Sequence, residues 1–195
     1  MSYISPLTNP RPFVAKIDNL SDEGITIDKG VARARRDAAD FAGKYVANFQ
    51  LVSELQASLE QFSSHWVKTL QDTRDAASSI SAWYLSFVEV FISMIDDVTN
   101  DNDVKGLIAE FYSLLDGGLP SQRYQLDSTP GVKGAFNEIE ALVIEESNHI
   151  VDVLKTTNDS NRKKVIENLK KELVPVKAGA GEVRQALNKY AAKLE

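Results

Sequence analysis

Three observations in the sequence predict an all-α protein, an elongated antiparallel helical bundle built on one long heptad-patterned N-terminal helix, with no β-sheet. Residues 44–105 contain neither proline nor glycine, a run of 62 positions without a helix breaker. Apolar side chains recur through this run with a 3.5-residue period. No stretch alternates apolar and polar residues over the length of a strand. A chain of 195 residues suits one domain, and 43% hydrophobic with 26% charged residues is the composition of a folded globule, not of a disordered chain.

Residues 1–24 hold Pro6, Pro10 and Pro12, each of which denies a helix one backbone donor. They are expected to form an extended arm, laid against the body through Phe13, Val14, Ile17 and Leu20. The remainder, 25–195, is expected to be a single helical-bundle domain. Its first element is a helix over 27–98. With Ala38 at heptad position a, the a sites are Ala38, Tyr45, Val52, Leu59, Trp66, Thr73, Ile80, Phe87 and Met94. The d sites are Phe41, Asn48, Leu55, Phe62, Thr69, Ala76, Trp83, Val90 and Asp97, and fourteen of the eighteen are apolar. Apolar e sites, among them Ala42, Leu70, Ala77, Tyr84 and Phe91, widen the stripe, so several neighbours are expected rather than a narrow two-stranded seam.

The segment 71–79 is rich in small and poor helix-forming residues. A turn there would give a compact bundle of five or six helices. The heptad phase runs through it unbroken, from Trp66 to Thr73 to Ile80, which favours one continuous helix on the order of 105 Å long. A tip over 99–131 follows. It contains a short amphipathic helix with Val104, Leu107, Ile108, Phe111, Leu114 and Leu115 on one side, stopped by Gly117, Gly118 and Pro120. Return helices are expected over 132–194. Phe136, Ile139, Val143, Ile150, Val153 and Leu154 mark one over 132–156. A second is expected to stop near Pro175, and a third follows a hinge-like break at Ala178-Gly-Ala-Gly181. Gly117, Gly118, Gly179 and Gly181 are therefore the candidate hinges.

Composition narrows function. There is no cysteine, which excludes thiol nucleophiles, iron–sulfur clusters and zinc–cysteine sites. The net charge is −6, and residues 61–130 carry 10 acidic against 4 basic groups, so nucleic acid is not an expected partner. The N-terminal residues have no basic n-region and no apolar h-region, and no 18-residue run is free of charge and apolar throughout. A cytoplasmic protein, or one released without a cleavable signal peptide, with no constitutive transmembrane segment, is expected on that reading.

Motifs that carry chemistry are few. Glu146-Ser-Asn-His149 has the Glu-x-x-His spacing of di-iron bundles, but the second such motif is missing, since Phe62 stands three residues before His65. Asp101-Asn-Asp103-Val-Lys105-Gly106 has a calcium-loop outline with Lys105 and Tyr112 where ligands belong. No nucleotide-binding glycine loop or serine elbow occurs. The expectation is a non-enzyme without catalytic residues, metal, cofactor or small-molecule substrate.

The segment 80–95 is apolar nearly all round, with only Ser86, Glu89 and Ser93 forming a polar strip. Such a helix is either central in a bundle or bound for lipid. Trp83, Tyr84, Phe87, Phe91 and Ile92 are the candidate membrane- or partner-contact residues. Two functions follow: helix–helix contact, with itself or another helical protein, or a membrane-active protein that exposes 80–95 to lipid. A long first helix with an apolar segment near its far end is similar in outline to α-helical pore-forming toxins, a likeness of architecture that transfers no residue.

Overall fold

Helix α1 (Arg11–Tyr45) begins inside the expected arm, with Pro12 in its first turn, where a missing N–H leaves no helical carbonyl unpaired. The structure, a computed structural model, describes residues 3–45 and 50–195. The remaining helices are α2 (Gln50–Ser86), α3 (Asp101–Asp116), α4 (Pro130–Lys155) and α5 (Arg162–Lys193), and no strand occurs among the described residues. The fold is an all-α helical bundle.

The extended arm over 1–24 is thus corrected to a short N-terminal segment. Among the described residues only a 3-10 turn at Pro6–Thr8 precedes α1. Gly24 does not break α1, because Leu194 and Leu70 pack over it.

The single helix over 27–98 is also corrected. A Cβ at Gly24 would lie 3.9 Å from Leu70, Leu20 shares a cleft with Thr73, and Ala42 and Val52 are both buried near the far ends. α1 and α2 therefore run antiparallel. The d site Asn48 and the e site Phe49 lie outside the described residues. α2 itself passes through 71–79 without a turn, as the unbroken phase predicts. Past Ser86 it continues as a π-helical turn (Phe87–Ile92) and a 3-10 stretch (Ser93–Asp97).

Two layers cover the α1–α2 pair. α5 lies along one side, where Lys189 and Lys193 reach Asp18 and Asp22 at 2.9 and 2.6 Å and Ser81 Oγ donates to Asn188 at 2.7 Å. α4 covers the other side, with Gly131 against Leu20 and Lys16 paired to Glu138 at 2.7 Å. α3 closes the far end: Trp83 Nε1 donates to the Leu114 carbonyl at 3.1 Å, and Phe91 and Phe111 rings lie 5.9 Å apart. The core between these layers holds Tyr84, Phe87, Phe91, Phe136, Ile139 and Leu187, all at most 1% exposed.

α5 is one helix through Pro175 and through 178–181, so neither the stop nor the hinge-like break occurs. Pro175 sits on the exposed side, where water can reach the carbonyl its ring leaves unpaired. Gly117 and Gly118 end α3 as a cap. Gly118 takes the left-handed φ of 71°, its N–H donates to the Leu115 carbonyl, and Arg123 donates to the Gly117 carbonyl.

Beyond the last residues of α5 and the first of α4, α1 and α2 continue alone. Residues 30–45 and 50–64 project as a two-helix hairpin roughly 22 Å long. This hairpin, and not 99–131, is the free end of the molecule.

Candidate functional site

The five residues expected to meet lipid or a partner are placed in the core. Trp83, Tyr84, Phe87, Phe91 and Ile92 are 9% exposed or less. Of the large apolar side chains around them only Leu85 and Val90 face outward. An 18-residue window of the helix Gln50–Asp97 has mean hydropathy 1.4, and the apolar faces it presents are largely taken by α3, α4 and α5.

Glu146 and His149 meet the N-terminal segment. Tyr3 donates its hydroxyl to Glu146 Oε2 at 3.0 Å and stacks on the His149 ring at 4.1 Å. Burial first, and then the Glu146 carboxylate, push the Tyr3 phenol up to about 12. The pair acts as a dock for the segment that leads into α1. Asp103 is equally local: its carboxylate takes Thr99 and Asn100 backbone N–H groups while Asn100 caps α3, a reciprocal capping box. Among the described residues no three His, Asp or Glu side chains gather as a metal site.

Glu140 is a fully buried carboxylate that no motif in the sequence marks. It lies on α4 and takes the Ser121 N–H at 2.7 Å and the Ser121 hydroxyl at 2.6 Å, holding the 3-10 turn Pro120–Arg123. Burial raises its carboxyl above the ordinary value, although both Ser121 bonds pull the other way. A raised folded-state value means that the folded chain keeps the proton where the unfolded chain has lost it. The contribution to stability is therefore largest below the unfolded value and falls as pH rises toward the folded one. Glu140→Gln keeps the shape without the charge. Its melting temperature relative to the parent is expected to rise from pH 4 toward neutrality, and a difference that stays flat across that range contradicts burial as the dominant influence.

The exposed apolar surface lies on the hairpin. Gly24, Val31 and Ala38 on α1, with Val52, Leu59 and Trp66 on α2, are the a sites that turn toward the partner helix, apart from Tyr45 at the end of α1. Three residues after them come Ile27, Ala34 and Phe41, and Leu55, Phe62 and Thr69. An equal rotation on two antiparallel helices brings both series to one face. In the bundle, α4 covers that face at Leu20. In the hairpin no described residue does: Phe41, Leu55 and Phe62 are 48, 50 and 53% exposed, and Ile27, at the edge of α4, is 49% exposed. Tyr45 packs on Phe41 with centroids 4.7 Å apart, and Leu51 extends the patch. Where α4 begins, a cleft of about 210 Å³ lies between Leu20, Ile27, Trp66, Gly131 and Val132. The Trp66 indole N–H, itself buried there, has no acceptor. The signal was present in the sequence as d sites; their exposure was not. No family model matches this chain, and no curated protein matches it.

Proposed function

We propose that this is a non-enzymatic helical protein that works by helix–helix contact, and that the projecting α1–α2 hairpin is the part that makes it. The observation that carries this reading is the uncovered face holding Phe41, Leu55 and Phe62, which continues a groove already filled by α4 at Leu20. Antiparallel helix pairs with a spare apolar stripe are completed by further helices. The face is two helices wide, and a partner helix lying in it would bury those side chains as α4 buries Leu20. The lipid reading asks Trp83, Tyr84, Phe87, Phe91 and Ile92 to leave a core in which they are already satisfied, so it stands second.

The test is a photo-reactive phenylalanine placed at Phe41 or Phe62 in the producing cell, with Tyr112 and Val174 as exposed control positions. Protein adducts are expected from the hairpin positions and not from the controls. Hairpin positions that yield no more adduct than the controls refute the reading.

A further inference from the structure

We propose that the cleft between the N-terminal segment and helices α4 and α5 binds a small organic cation, a primary ammonium carried on a compact apolar body. The inference is independent of the hairpin and of the helix-contact reading.

Two carboxylates are buried on α4, and they are satisfied differently. Both oxygens of Glu140 accept from Ser121. Glu146 is 2% exposed, yet only its Oε2 accepts a bond, from the Tyr3 hydroxyl. Among the described residues no cationic side chain pairs with it. A carboxylate taken out of water is normally matched by a cation or by several donors, because one neutral partner does not offset the lost hydration. This carboxylate lines a cleft of about 240 Å³, together with the exposed Glu172 of α5.

The lining selects the class of ligand. It holds two carboxylates and neither lysine nor arginine. After burial, the charged groups that raise the Tyr3 phenol are Glu146 and Glu145, both negative, so the field at this spot opposes an anion. The stacked rings of Tyr3 and His149 give the cleft an aromatic wall on which a cation is favoured. Ile4, Pro175 and Val176 give it apolar walls. A bare metal ion is the poorer match, since among the described residues no three His, Asp or Glu side chains converge. An ammonium donates three hydrogen bonds, enough for Glu146 Oε1, Glu172 and one water, while its apolar body lies on the other walls. The space of about eight water molecules admits a single-ring amine.

Benzylamine is the probe, and benzyl alcohol is its neutral match in shape. Each is titrated at neutral pH into the full isotope-labelled chain and followed by nuclear magnetic resonance. Benzylamine is expected to move the Ser5, His149 and Glu172 amide signals saturably, with a dissociation constant below about 1 mM, and benzyl alcohol is not. Glu172→Gln changes an exposed side chain and keeps the fold, and it should weaken binding at least about tenfold. Glu146→Gln should do the same. No saturable change up to about 10 mM overturns the inference, as does an equal response to benzyl alcohol. Binding unchanged in both variants also overturns it, and reports general attraction of cations to a chain of net charge −6. Binding lost in Glu146→Gln but intact in Glu172→Gln reflects undocking of Tyr3 and overturns the two-carboxylate site. Zinc chloride that moves these signals where benzylamine does not overturns it in favour of a metal.

Discussion

Replacing Trp83 with alanine is expected to lower the free energy of unfolding by about 3–5 kcal/mol. The indole is 9% exposed, lies edge-on to Tyr84 at 6.4 Å and donates to the last turn of α3. Truncation opens a cavity between α2 and α3 and frees the Leu114 carbonyl. Trp83→Phe separates the two contributions: it keeps most of the packing and loses the hydrogen bond, for roughly 1 kcal/mol beyond the packing loss. Trp66 is the internal comparison. It is only partly buried and its indole N–H has no acceptor, so Trp66→Ala should cost less. Urea denaturation of the three variants measures this. A Trp83→Ala protein within about 1 kcal/mol of the parent would mean that the α2–α3 contact contributes nothing, against the usual scale for a buried aromatic.

What the sequence made legible followed from periodicity and caps. The stretch of acidic and amide residues up to Asp103 announced both the end of α2 and the start of α3, and Asn100 with Asp103 forms that cap. The phase from Trp66 through Thr73 to Ile80 correctly carried α2 across 71–79. The same reasoning failed at the hairpin for a physical reason. Tyr45 and Val52 are seven residues apart, so the heptad phase is the same in α1 and in α2 although the two run antiparallel, and no proline or glycine in the sequence marks the boundary. A stripe that faces a partner helix and one that faces an antiparallel neighbour read alike in one dimension.

The prolines misled in the opposite direction. Pro12 falls in a first turn and Pro175 on a solvent face, two places where the missing donor is tolerated. The candidate site shows the deeper limit. Phe41, Leu55 and Phe62 belonged to the same inward series as Ala76 and Trp83, and composition does not distinguish them. The difference is made by where α4 begins and α5 ends, which leaves the outer part of one stripe without a cover. Conversely, the most apolar segment, 80–95, attracted attention as a surface because hydrophobicity alone does not reveal that three other helices converge on it.

The second large effect is expected at Gly179, and its sign is the informative part. In the middle of a helix, glycine is worse than alanine by about 1 kcal/mol, so Gly→Ala at an open position stabilises. Gly181 is such a position: a Cβ there meets nothing within 4 Å. At Gly179 the new Cβ would lie 1.7 Å from the Leu7 carbonyl oxygen and 2.8 Å from its carbon, so backbone, not a flexible side chain, must withdraw. Leu7 is fully buried against α5, and the turn around it is tied by Ser5 and by Tyr3 on Glu146. Withdrawal surrenders roughly 2–3 kcal/mol of leucine burial, which outweighs the gain in helix propensity. Gly179→Ala is therefore expected to destabilise by about 1–2 kcal/mol net and to open the segment before α1 to proteases, while Gly181→Ala stabilises by about 0.5–1 kcal/mol with no change in cleavage. Two alanines in the same helix, two residues apart, should thus move the melting temperature in opposite directions. If both raise it, the N-terminal turn does not rest on α5 at Gly179, and the glycine there serves no close approach.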